Sequence, residues 1–134
     1  MAIDYGGRRI GIAVSDSGVM ATPHSVLRNE GDIVEKLAAL ARELAAETIL
    51  VGIPRRTHAS AAERKFLDLA AGLRQKTCKE VVLWDEALTT SEAAVQLRDA
   101  GRKRREAQRE IDMHAAAVIL QSYLDAQARS GRAS

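Results

Sequence analysis

Short apolar segments alternate with longer amphipathic ones along the chain. Over residues 9–15, isoleucine and valine occupy every second position with small residues between them, which is the period-two pattern of a β-strand. Residues 1–4 are also strand-like, and the turn residues Gly6 and Gly7 predict that the two strands form a hairpin. A third short strand is predicted over residues 24–28. The small face of the second strand predicts close approach by another element.

Two later apolar segments, residues 48–53 and 81–84, predict strands that are covered on both faces, as at the centre of a parallel sheet. Helical spacing of apolar residues predicts helices over residues 32–46, 60–75, 90–100 and 108–127, with Asp32 as an N-cap and a mobile polar loop over residues 101–106. This order predicts an α/β fold with a central mixed five-stranded sheet and helices on both faces.

The length of 134 residues predicts a single domain over residues 1–134. The apolar runs are shorter than the roughly 20 residues of a membrane span, and we expect no signal peptide. One cysteine, Cys78, excludes an internal disulfide and suits a reducing compartment. We therefore expect a cytoplasmic protein with no membrane partner, either a monomer or a homodimer.

Basic residues are more informative by position than by total, since the net charge is only +2. Arginine outnumbers lysine 15 to 5 and favours bidentate contact with phosphate, which indicates a nucleic-acid partner. The alternative for each cluster is a solvated surface charge. The clustered residues are Arg8, Arg9, Arg55, Arg56, Arg102, Lys103, Arg104 and Arg105.

Acidic residues occur where strands end or a helix starts. Asp4 ends the first strand, Asp85 and Glu86 follow the strand over residues 81–84, and Asp112 lies beside the apolar stripe of the last helix. Alone, each fits a turn, a strand end or a helix dipole. Together they predict a carboxylate cluster that cations must neutralise. Oxygen donors suit Mg²⁺ or Mn²⁺, and two such ions can hydrolyse a phosphodiester.

Rival chemistries lack their signatures in this sequence. His24 and His58 are expected in loops, and His114 follows Asp112 by two residues and so points the opposite way around the helix, which argues against a zinc site. No nucleophile elbow is present, and Gly6-Gly7 lacks the lysine and spacing of a phosphate-binding loop.

Several motifs in order resemble one known family. They are IDYG and RIGIAVSD within residues 3–16, VGIP at 51–54, WDE at 84–86 followed by LTT at 88–90 and EA at 92–93, and Asp112 leading to ILQSYL at 119–124. This pattern resembles the YqgF (RuvX) family, small bacterial relatives of Holliday-junction resolvases in the ribonuclease H-like superfamily, over essentially the whole chain. Two departures concern Ala87, where the family usually has arginine, and His58-Ala59, where it often has Asp-Gly.

The resemblance implies a ribonuclease H-like fold and divalent-metal-dependent phosphodiester hydrolysis. It maps the catalytic and metal-binding acids onto Asp4, Glu86 and Asp112. Family members are described as nucleases that mature the 5′ end of 16S ribosomal RNA, and earlier as Holliday-junction resolvases. We accordingly expect a two-metal nuclease on structured nucleic acid, with Asp4 bridging both ions and the clustered basic residues holding the phosphate backbone. An aromatic content of 3% leaves few platforms for stacking single-stranded bases, which favours duplex or junction substrates.

Three alternatives stay open at this point. The first is a Holliday-junction resolvase or DNA nuclease of recombination and repair. The second is a non-catalytic nucleic-acid or ribosome-binding factor on a degenerate nuclease fold, which the departures at Ala87 and His58-Ala59 motivate. The third is a nucleotide-phosphate enzyme of the actin and sugar-kinase branch, against which the single short domain argues.

Overall fold

The computed structural model describes residues 1–53, 61–85 and 104–133. The strands are β1 (Ala2–Tyr5), β2 (Arg9–Val14), β3 (Thr22–Arg28), β4 (Thr48–Ile53) and β5 (Glu80–Asp85). The helices are α1 (Ile33–Glu43), α2 (Ala61–Thr77) and α3 (Arg104–Ala133). None of the helices in these ranges is both long and apolar enough to cross a membrane.

The five strands form one sheet in the order β3-β2-β1-β4-β5. Strand β2 pairs antiparallel with both β1 and β3, whereas β4 pairs parallel with both β1 and β5. The predicted mixed five-stranded sheet is thereby confirmed. The predicted double burial of β4 is also confirmed, because every residue from Ile49 to Ile53 is buried.

Strand alternation divides the interior into two cores. The larger core packs one face of the sheet against α1 and α2, and it includes Ile3, Ile10 and Val51. The smaller core packs the other face against α3, and it includes Ala2, Ala13 and Leu50. Small side chains on this second face let α3 lie close to the sheet, as the pattern of β2 predicts.

Helix α3 is also tied to the loop before β3. The side chain of Gln121 accepts a hydrogen bond from the Ala21 backbone N–H at 2.8 Å and donates one to the Val19 carbonyl at 2.9 Å. This fixes the middle of α3 against the β2–β3 connection, far along the helix from its start.

Element boundaries differ from the predictions in identifiable ways. The N-cap prediction is confirmed, since the Asp32 carboxylate accepts from the Glu35 N–H at 3.2 Å. Helix α1 ends at Glu43 and not at residue 46, because Ala45 adopts a left-handed φ of 53° that ends a helix. The predicted loop over residues 101–106 is wrong for residues 104–106, which belong to α3 because the polar residues that precede its apolar stripe are good helix formers. Residues 101–103 lie outside the described residues. The predicted helix over residues 90–100 lies outside the described residues.

Candidate active site

Asp4 lies at the centre of the sheet, where β1 runs between β2 and β4. Its cross-strand partners are Gly11 on β2 and Gly52 on β4, and Gly52 is in turn opposite Trp84 on β5. Residues in register point to the same face, so Asp4 faces α3 with a glycine on each side. Its cross-strand neighbours therefore carry no side chains, and Asp4 itself is half-buried.

Helix α3 crosses the sheet at Gly11, the residue opposite Asp4. A Cβ atom at Gly11 would lie 2.0 Å from the backbone oxygen of Asp112, so only glycine fits this crossing. The contact places Asp112 over the strand position next to Asp4. Two of the three predicted acids, Asp4 of β1 and Asp112 of α3, therefore lie on the same side of the sheet at neighbouring positions.

The Asp112 carboxylate has a cationic partner in this structure. Nε of Arg9 lies 2.9 Å from Oδ2 of Asp112, and the Asp112 side chain is only 17% exposed. The interpretation of Asp112 as a helix-dipole residue is wrong. Asp112 is the ninth residue of α3, and the dipole effect falls off within the first turn. The positive charge next to this carboxylate comes from β2.

Two acids, Asp85 and Glu86, follow the apolar residues of β5, and the strand shows which face of the sheet Asp85 belongs to. The indole N–H of Trp84 donates to Oγ of Ser122 on α3 at 3.3 Å, so position 84 faces the same side of the sheet as Asp4. Asp85 is one residue further on, in register with Ile53 of the larger core, and therefore belongs to the opposite face. The third predicted acid, Glu86, lies outside the described residues.

The turn between β1 and β2 carries positive charge at the Asp4 end of the sheet. Arg8 and Arg9 line a groove of about 590 Å³ together with Arg28 of β3. The backbone N–H of Asn29 donates to the Arg8 carbonyl at 2.9 Å, which ties the end of β3 to this turn. Sequence reasoning missed Arg28, because it stands alone in the sequence and reaches the cluster only through its register with Arg9.

Of the six other predicted basic residues, the structure describes the backbone of two. Arg104 and Arg105 begin α3 and do not lie in a loop. The remaining four lie outside the described residues: Arg55, Arg56, Arg102 and Lys103.

The histidines differ in their surroundings. His24 lies within β3, not in a loop, and its Nδ1 is 2.8 Å from Oγ of Ser25. Nδ1 of His114 is buried and has no hydrogen-bond partner among the described residues. His58 lies outside those residues.

The donor chemistry of the described acids fits a hard divalent cation. Asp4 and Asp112 offer oxygen donors only, which is the ligand class of Mg²⁺ and Mn²⁺. Within residues 1–53, 61–85 and 104–133, no three His, Cys, Asp or Glu side chains come together as a metal site. Asp4 and Asp112 thus bring two acids from two elements to the same face of the sheet.

Comparison with solved structures identifies the fold. Thermus thermophilus RuvC in complex with a Holliday junction substrate matches with a TM-score of 0.57 and 18% identity, over 93% of this chain and 92% of that chain. A second Thermus thermophilus RuvC structure matches with a TM-score of 0.53 and 17% identity, over 96% and 94% of the two chains. RuvC has a ribonuclease H-like fold, so the predicted fold is confirmed.

Comparison with sequences identifies the family. A model described as RuvX, Holliday junction resolvase, matches residues 1–126. A protein of Mycolicibacterium paratuberculosis named "Putative pre-16S rRNA nuclease" is 43% identical over 133 residues, covering 93% of this chain and 78% of the relative. The protein of the same name from Mycolicibacterium smegmatis is 41% identical over 134 residues, covering 93% and 79%. The predicted nuclease class is confirmed, and the chain belongs to the RuvX family.

Proposed function

We propose that this chain is a divalent-metal-dependent nuclease in which Asp4, Glu86 and Asp112 hold two Mg²⁺ or Mn²⁺ ions. The observation that carries the proposal is the crossing at Gly11, which sets an acid of α3 beside the central acid of the sheet. Like-charged carboxylates at neighbouring positions repel each other, and a cation bound between them would remove that repulsion. When bound, the ions would activate a water and stabilise the leaving oxygen of a phosphodiester.

Asp85 is set apart from the proposed set by strand alternation. Trp84 faces α3 and Asp85 the opposite side of the sheet, so Asp85 does not face the same side as Asp4, while Glu86, the acid that the family resemblance indicates, lies outside the described residues. This supports Glu86, and not Asp85, as the third ligand.

The protein's basic residues are proposed to hold the substrate. Arg8 and Arg9 line the groove at the Asp4 end of the sheet, where they would contact the phosphate backbone. Such contacts position nucleic acid without reading its sequence and weaken as salt rises. Arg55, Arg56, Arg102, Lys103, Arg104 and Arg105 remain predicted contributors.

The proposed reaction is maturation of the 5′ end of pre-16S ribosomal RNA, in the cytoplasm. It is supported by the shared name of relatives more than 40% identical to this chain. The second candidate is cleavage of branched DNA, which the family description and the junction-bound RuvC structure favour.

A substrate panel tests the function and distinguishes the candidates. Labelled precursor ribosomal RNA, four-way junctions and linear DNA are incubated with the protein in Mg²⁺ and in Mn²⁺. We expect Asp4→Asn and Asp112→Asn to abolish cleavage of the preferred substrate, since each removes a metal ligand. Asp16→Asn is the matched control, because Asp16 is an exposed acid beyond the other end of β2.

Two results would contradict the assignment. Cleavage by Asp4→Asn at the wild-type rate would show that Asp4 is not a metal ligand. Binding without cleavage in any divalent metal would favour the non-catalytic binding factor.

A further inference from the structure

The Asp112 carboxylate needs a counter-charge before any metal ion arrives. It is 17% exposed and belongs to α3, at the point where this helix packs on the sheet. An ionised carboxylate that is largely removed from water destabilises the folded state unless a cation or several donors compensate it. The helix dipole does not compensate it, because Asp112 lies beyond the first turn of α3.

Arg9 supplies this counter-charge from a position that it can leave. Its Nε lies 2.9 Å from Oδ2 of Asp112, yet its side chain is 46% exposed. Because Arg9 is the first residue of β2, its guanidinium can swing into solvent without opening either hydrophobic core. It would then remain at the groove that Arg8 also lines.

We infer that Arg9 is a stand-in cation: it neutralises Asp112 in the metal-free protein and is displaced when a divalent cation binds that carboxylate. The inference rests on the proposed function, since it requires Asp112 to be a metal ligand. Arg9 is then a positioning residue that acts through Asp112. The exchange couples metal binding to substrate binding. When a cation binds Asp112, the guanidinium of Arg9 is released and can contact the phosphate backbone.

Arg28 provides a matched control for the charge of Arg9. The two arginines are cross-strand partners on β2 and β3, so both substitutions remove one positive charge from the same end of the sheet. The Arg28 side chain is 83% exposed, and its ion pair with the exposed Glu30 spans 3.9 Å. Any difference between the two variants therefore reports the contact with Asp112 and not the overall charge.

Calorimetric titration of the whole protein with MnCl₂ measures the exchange. We expect Arg9→Gln to bind Mn²⁺ about fivefold to tenfold more tightly than the wild type, because the metal no longer competes with a guanidinium. Arg9→Lys should fall between the two, and Arg28→Gln should stay within about twofold of the wild type, since its charge is exposed and screened.

Urea denaturation supplies a readout that is independent of catalysis. In EDTA, Arg9→Gln should unfold at a lower urea concentration than Arg28→Gln, because the ion pair between Arg9 and the largely buried Asp112 is lost. Saturating Mn²⁺ should reduce this difference, since the metal then neutralises Asp112 in both variants.

The outcomes separate the inference from the proposed function. If the wild type binds Mn²⁺ but Arg9→Gln binds it equally or more weakly, the stand-in role is refuted and the metal site stands. If the wild type binds no Mn²⁺, the proposed metal site fails and the inference fails with it.

Discussion

Replacing Gly11 with alanine tests the contact on which the site depends. The added Cβ would lie 2.0 Å from the backbone oxygen of Asp112 and 2.7 Å from its carbonyl carbon. Both are main-chain atoms, so no flexible side chain can move aside. Since Cβ contacts below 3.0 Å essentially do not occur, β2 and α3 must separate locally by at least about 1 Å.

That displacement should cost far more activity than stability. A misplacement of about 1 Å in a catalytic group can lower the rate about 10²-fold, and here it moves Asp112 relative to Asp4. Overpacking of this kind costs about 1–3 kcal/mol, less than the roughly 5–15 kcal/mol that separates a typical folded domain from its unfolded state. We therefore expect Gly11→Ala to remain folded and to cleave at least about 10²-fold more slowly.

The assay combines a cleavage time course in Mg²⁺ with thermal unfolding followed by circular dichroism. Gly72→Ala is the matched control, because its Cβ would press on Cγ1 of Val34 at 3.1 Å, between α1 and α2 on the other face of the sheet. It perturbs packing without moving Asp112, so its cleavage rate should stay near that of the wild type. Wild-type cleavage by folded Gly11→Ala would refute the claim that this crossing sets the geometry of the site.

Three further predictions concern binding, pH and packing. Arg8→Ala should weaken binding of different nucleic acids about equally and reduce the slope of log affinity against log salt by about one, measured by filter binding. A hydrogen bond and the positive charge from Lys76 lower the pKa of Glu35, whose Oε2 lies 3.0 Å from the ammonium group. The pair therefore stabilises the fold above the ordinary pKa of Glu35 and is lost as the pH falls through the lowered pKa. The stability difference between wild type and Glu35→Gln should accordingly vanish in acid, and urea midpoints across pH would refute this if it persisted. Phe66→Ala should cost about 3–5 kcal/mol in urea unfolding, because the ring is 2% exposed and packs edge-on against Tyr5; a loss below about 1 kcal/mol would contradict this.

The sheet could be predicted from the sequence because its signals are local. Period-two alternation in β2 and the unbroken apolar run of β4 each need only a few consecutive residues to be recognised. Asp4 could be identified as a candidate site residue for the same reason, since it ends a strand just before two glycines. The start of α3 was missed because its first two turns carry no apolar periodicity, only polar residues and one alanine, most of them of good helix propensity.

The pairings around the site could not be predicted in the same way. The ion pair between Arg9 and Asp112 joins residues from opposite ends of the chain, and nothing in either local sequence indicates the other. The proximity of Arg28 to Arg9 depends on strand register, which a β-bulge shifts between Ile12 and Ala13. The sequence therefore indicated acidic and basic residues as candidates for the site, whereas tertiary packing determines which of these residues contact one another.

The crossing of α3 over Gly11 also has a consequence for folding. Asp4 belongs to β1 and Asp112 to α3, so the two acids come together only when α3 docks on the completed hairpin of β1 and β2. During synthesis the hairpin emerges first and α3 much later, which means that a nascent chain carries the first acid but not the assembled pair. On the proposed assignment of Asp4 and Asp112, nuclease activity follows the docking of α3, so chains that lack this helix should be inactive.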